Sequence, residues 1–155
     1  MASTISSANL KVKITEEIIL GGKDQGGTTE LTISSVNEVS NRIITISSGS
    51  FTTLFNVTAS DSGSAGSFLS SSLKYARVTN KDDSNHLRLR VSGSETTDFA
   101  VDAGRSFIIT STAVSGSSSG STTTAEGINA FSDLYSVSVE PSGSAVDVEY
   151  FIANT

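Results

Sequence analysis

The only histidine, His86, follows Asp82, Asp83 and Asn85 in the polar run 81–85, KDDSN. A His–Asp pair near one of many serines is the raw material of a nucleophilic relay, in which the imidazole takes the hydroxyl proton and the carboxylate orients the ring. The GxSxG spacing at 116–120 falls in a run that reads as a flexible loop with no following helix, not as a strand-to-helix elbow, so His86 reads as an exposed turn residue. Asp82-Asp83 and Glu16-Glu17 are adjacent acids. Neighbouring residues on a strand point to opposite faces, which is poor geometry for two carboxylates sharing one substrate. On a turn, Asp82, Asp83 and Asn85 could gather oxygens around Ca²⁺. The glycine and distal glutamate of an EF-hand loop are missing, and the turn-forming habit of Asp and Asn accounts for the same residues. The glycine-rich stretches 21–27 and 116–120 lack the GK[ST] ending of a phosphate-cradling loop. Asn56-Val57-Thr58 is a glycosylation sequon, meaningful only in a secretory pathway.

Composition narrows the chemistry further. The chain has no cysteine, so disulfides, thiolate zinc sites and iron–sulfur clusters are excluded. A net charge of −6 argues against a general nucleic-acid binder, which needs a basic surplus. No apolar run approaches the roughly 20 residues of a membrane-spanning helix. The N-terminal MASTISSANL shows neither a charged leader nor an apolar core, so no signal peptide is expected. No cofactor, metal or catalytic residue is expected, and no enzyme activity. Ser and Thr make up about a third of the chain, but 36% apolar content suffices for a folded domain.

The elements that must carry these residues repeat every second position. Leu10, Val12 and Ile14 alternate with Lys11, Lys13 and Thr15. Residues 21–29, GGKDQGGTT, read as a loop, followed by a strand carrying Leu31 and Ile33. Residues 42–47, 51–58, 73–80, 87–91, 99–101, 107–112, 135–140 and 146–152 read as further strands, with Leu73, Tyr75 and Val78 towards the core. Residues 67–73 and 125–134 could each hold one helical turn, and 115–124, SGSSSGSTTT, reads as a long loop. Eight to ten short strands with Gly/Ser/Asn/Asp turns predict an all-β, antiparallel β-sandwich, Ig-like or jelly-roll-like. Residues 1–9 are expected to form a flexible polar arm and 10–155 a single β-sandwich domain.

Charge is distributed unevenly. All ten Lys and Arg lie at or before Arg105. Arg88 and Arg90 share one strand face, opposite Leu87, Leu89 and Val91. Asp147 and Glu149 share one face of the last strand, opposite Val146, Val148 and Tyr150. Two apolar faces thus turn towards a core while oppositely charged faces turn outward. This predicts Arg88, Arg90, Asp147 and Glu149 as a matched contact, either across strands of one subunit or between copies.

From Tyr75 onward, YARVTNKDDSNHLRLRV, FAVDAGRSFIIT and LYSVSVEPSGSAVDVEYFIANT form a series of hairpins. This series resembles small β-sandwich virion structural proteins of marine, cyanophage-like tailed phages. It covers residues 75–112 and 134–155, about two-fifths of the chain. The resemblance implies a non-enzymatic subunit present in many copies on a virion, such as a capsid decoration (cement) protein on the major capsid protein lattice. A tail or fibre-attachment ring subunit is the alternative position. The implied partners are other virion proteins and copies of itself, with no nucleic acid and no membrane. A carbohydrate-binding sandwich is the competing class. It would need exposed aromatics, and Tyr135, which opens its strand, is the best placed of the three tyrosines to reach solvent.

Overall fold

The computed structural model describes residues 6–60, 63–94, 96–110 and 130–155. The chain first makes β1 (Ala8–Glu16), β2 (Ile19–Leu20), β3 (Lys23–Asp24) and β4 (Gly27–Val36). It continues through β5 (Glu38–Ile46), β6 (Thr52–Thr58), β7 (Ser67–Leu69), β8 (Leu73–Asn80) and β9 (Leu87–Gly93). It returns through β10 (Thr96–Val101), β11 (Ser106–Thr110), β12 (Leu134–Pro141) and β13 (Val146–Asn154), with one 3₁₀ turn at Ala130–Asp133. β-Branched and aromatic residues suit the pleated surface, and Ser, Gly and Asn fill the turns between.

Strands β5 to β13 form the expected sandwich: a five-stranded sheet ordered β10-β9-β12-β6-β7 packed on a four-stranded sheet ordered β11-β8-β13-β5. Four antiparallel pairs, β5 with β13, β6 with β12, β8 with β11 and β9 with β10, define its winding. The chain therefore runs out along β5, β6, β8 and β9, and back along β10 to β13, as one long two-stranded ribbon. Successive pairs fall in alternate sheets, the closing hairpin β9–β10 included. This is the eight-stranded jelly roll, which resolves the choice between jelly-roll and Ig-like windings. The added strand β7 pairs with β6 in parallel. Residues 67–69, read from sequence as part of a helical turn, are thus extended. The loop expected at 115–124 lies outside the described residues.

The core between the sheets is built from alternate residues. Leu87, Leu89 and Val91 of β9, Val137 and Val139 of β12, and Val146, Val148, Tyr150 and Ile152 of β13 are all buried. Phe55 sits at its centre, with ring centroids 6.1 Å from Phe68 and 6.2 Å from Tyr150. On β8, Ala76 and Val78 face this core. Tyr75, expected in phase with them, instead faces outward, one residue out of register. It is buried all the same, in a second cluster with Val36 and Ala153 that Leu10, Val12, Ile33 and Phe151 close over. Desolvation there raises the pKa of its hydroxyl, with nearby Arg77 pulling the other way.

What closes over Tyr75 is the base of an N-terminal hairpin. Among the described residues β1 and β4 pair with each other alone, from Ala8↔Val36 out to Glu16↔Gly27, and β2–β3 extends the ladder to a tip. The tip turn needs positive φ at both central positions, supplied by Gly21 (61°) and Gly22 (76°). Residues 21–29 are therefore mostly hairpin rather than open loop. The sandwich itself begins at β5, so Leu10, placed from sequence at the start of the domain, lies in the hairpin. An extra residue on β4 makes a bulge at its root, where Ser35 adopts a φ of 62°.

Candidate functional site

Arg88 and Arg90 point outward from β9, in the five-stranded sheet. The flanking strands bring acids beside them, since Asp98 of β10 registers with Arg90, and Glu140 of β12 with Arg88. Arg90 grips Asp98 with two hydrogen bonds, Nε to Oδ1 at 2.7 Å and Nη2 to Oδ2 at 2.8 Å. Arg88 donates from Nε to Asp98 Oδ2 at 3.0 Å, and its Nη1 lies 3.3 Å from Glu140 Oε2. Both guanidinium groups lie over the Phe51 ring, 4.6 Å (Arg88) and 3.9 Å (Arg90) from its centroid. The Arg90 hydrogen bonds, with those of Arg88, hold the Asp98 carboxyl down at a pKa of about 2. The same contact with Asp98 raises the pKa of Arg90.

Asp147 and Glu149 point outward from β13, in the other sheet. Arg77 donates to Glu149 Oε1 at 2.7 Å, and Lys81 Nζ lies 3.9 Å from Oε2. Thr45 donates its hydroxyl to Asp147 Oδ1 at 2.6 Å. The two charged sets thus occupy opposite outer faces of the sandwich. The cross-strand match expected between Arg88, Arg90 and Asp147, Glu149 within one subunit does not form, because β9 and β13 belong to different sheets. Each set is balanced by its own strand neighbours. Sequence reasoning missed Asp98, Glu140, Arg77, Lys81 and Phe51. Asp98 was within reach of it, since folding 87–101 about Ser94 sets it opposite Arg90.

His86 is exposed, and its backbone carbonyl accepts from Ser142 N at 3.1 Å. The neighbouring carboxylate is engaged in turn formation. Asp82 Oδ1 accepts from the amides of Ser84 (2.8 Å) and Asn85 (2.6 Å), which lowers its pKa. Behind the turn, the wholly buried Asn80 donates to the carbonyls of Asn85 (2.9 Å) and Val101 (3.0 Å) and accepts from the Asp82 amide (3.0 Å). These residues make a corner joining β8 of one sheet to β10 of the other, and among them nothing places a base against a serine. Among the described residues no group of three His, Cys, Asp or Glu could hold a metal ion.

The hairpin presents a different kind of surface. Paired residues share a face, so Leu10 with Ile33, Val12 with Leu31, and Ile14 with Thr29 form one stripe. The root of this stripe is seated on the sandwich. Further out, Ile14 is 50% exposed, Leu31 40%, Ile18 52%, Ile19 77% and Leu20 61%. Isolated apolar residues are ordinary on a surface; a run of this kind is not. A cavity also opens between the ends of β5, β7 and β13, where the Asn154 amide donates to Glu38 Oε2 at 2.8 Å. No family model, curated protein or solved structure matches the chain.

Proposed function

We propose that this chain is a non-catalytic structural subunit of a tailed-phage virion, a capsid decoration protein that binds the lattice of the major capsid protein. A tail or fibre-attachment ring is the other position open to it. The observation that carries this reading is the N-terminal hairpin. It projects from a complete jelly roll with an apolar stripe that, among the described residues, its own subunit covers only at the root. A two-stranded hairpin is marginal by itself in water, and a surface of this kind is stabilised by being buried against a neighbour. The jelly roll supports the reading by analogy, since capsid proteins use it, though lectins do too. The hairpin series from Tyr75 onward, with its likeness to phage virion proteins, adds a second line of support.

The test is direct. Purified particles from the source should contain the chain at a copy number proportional to the major capsid protein, by quantitative mass spectrometry. Absence from the particles would overturn the proposal. The lectin alternative rests on Tyr135, which is 59% exposed, and would be favoured by glycan-array binding that is lost in Tyr135→Ala.

A further inference from the structure

The hairpin's outer half has a matching surface on the body of the same chain. Among the described residues β5 is an edge strand, paired with β13 on one side only. Its outward residues include Val39, 53% exposed, and Ile43, 63% exposed. Val39 registers with Ala153, which already lies beneath the hairpin root, so this apolar surface continues one that a hairpin covers. Arg42 precedes Ile43 and so points to the other side of β5, in register with Tyr150; at this strand edge it too is exposed, with no ion pair among the described residues. On the hairpin, Glu16 and Glu17 precede the exposed Ile18-Ile19-Leu20 triplet, and they too make no ion pair among the described residues.

The two surfaces are complementary along the strand edge: an apolar triplet flanked by acids, and a strand with an apolar pair on one side and a base on the other. They do not meet within one subunit. β4 passes into β5 through Asn37 alone. The hairpin leaves from the root of its own β5, and both surfaces remain exposed. We infer that the outer half of the hairpin docks along the β5 edge of a second copy of this chain, its apolar tip residues reaching Val39 and Ile43 on one side of that strand and Glu16 or Glu17 reaching Arg42 on the other. Such a contact joins unlike surfaces. It is heterologous and generates a ring where the rotation closes. An added strand along β5 would also satisfy its unpaired backbone groups, as in β-augmentation. This inference deepens the virion proposal by naming one partner of the hairpin.

The cysteine-free chain makes the test clean. Full-length Leu20→Cys, mixed with Ile43→Cys under mild oxidation, should give a mixed disulfide dimer. Leu20→Cys mixed with Tyr135→Cys, an exposed site on the opposite sheet, should give far less. In sedimentation, wild type should exceed the monomer mass as concentration rises, and Ile19→Asp and Ile43→Asp should each weaken self-association about tenfold or more. Unchanged β-sheet circular dichroism would confirm that both variants fold. Equal cross-linking to positions 43 and 135, or a monomer at every concentration, would overturn the inference. Hairpin-dependent binding to capsids by a strictly monomeric chain would sink self-docking and leave the virion proposal standing. Association that depends on positions 19 and 43, in a chain absent from particles, would do the reverse.

Discussion

Removing the side chain of Asn80 should loosen the corner between the sheets more than any surface change. Asn80 has no solvent exposure, and its amide serves three backbone groups: the Asn85 and Val101 carbonyls and the Asp82 amide. Each such bond contributes about 1 kcal/mol net. Asn80→Ala deletes all three and leaves the Val101 carbonyl facing an apolar gap, so the loss should total about 3 kcal/mol or more. At about 2–4 °C per kcal/mol for a chain of this size, Tm should fall by about 6–12 °C. Asn80→Asp is the sharper variant. It is nearly isosteric and keeps the acceptor for Asp82, but it turns a carboxylate oxygen towards two carbonyls. At neutral pH it should be at least as unstable as Asn80→Ala. Protonation restores one donor and is favoured by the buried site, so the pKa of the new acid is raised in the folded state. The stability of Asn80→Asp relative to Asn80→Ala should therefore rise as pH is lowered. Calorimetry of the three proteins from neutral to mildly acidic pH is the assay. A Tm for Asn80→Ala within about 2 °C of wild type, under 1 kcal/mol, would show that the corner does not depend on this side chain.

Three other perturbations read separate parts of the molecule. Asp98 has its pKa lowered from 3.8 to about 2 in the folded chain, so it contributes stability above its unfolded value that is lost as pH falls through the folded one. The gap in urea midpoint between wild type and Asp98→Asn should hold from neutral pH down to about 4 and close towards pH 2; a gap that persists at pH 2 would contradict the Arg88–Arg90 clamp. A Cβ at Gly26 would drive into the Glu16 carbonyl. Gly26→Ala should speed amide exchange through residues 13–30 and leave the sandwich's thermal transition unmoved, whereas a lowered sandwich Tm would mean that hairpin and body unfold together. Phe55→Ala opens a cavity between Phe68 and Tyr150 and should cost about 3–5 kcal/mol by denaturant unfolding, against about 0.5 kcal/mol or less for a surface change.

Period-two alternation located the sandwich because its core faces are simple. In β9, Leu87, Leu89 and Val91 alternate with Arg88, Ser92 and the half-buried Arg90, and nothing else competes for the apolar face. β13 behaves in the same way through Val146, Val148, Tyr150 and Ile152. β8 failed because both of its faces are covered, one by the sandwich and one by the hairpin root, so Tyr75 and Ala76 are both buried and alternation loses its meaning. The charged residues were placed on the right faces, but their partners depend on strand order, and order is a non-local property. Arg88 meets Glu140 because β12 lies beside β9, although about fifty residues separate them in the chain.

The hairpin shows what alternation does and does not report. Leu10, Val12 and Ile14 repeat the pattern of Leu87, Leu89 and Val91, yet the first strand is largely exposed and the second largely buried. A period of two states that one face of a strand is better removed from water; it is silent on which surface removes it. In β9 the opposite sheet of the same chain does so. In β1 the chain supplies cover as far as Val12, at Tyr75, Phe151 and Ala153, while Ile14 and the tip residues Ile18, Ile19 and Leu20 stay exposed. Selection for a soluble monomer would disfavour that exposure, since exposed strands with apolar faces invite aggregation and are usually blunted with charge or proline. The tip instead keeps Ile18-Ile19-Leu20 intact and confines its charge to the flanks, at Glu16, Glu17, Lys23 and Asp24. Charge on the flanks with apolar residues at the centre is the layout of a contact that excludes water in its middle and selects its partner at its rim.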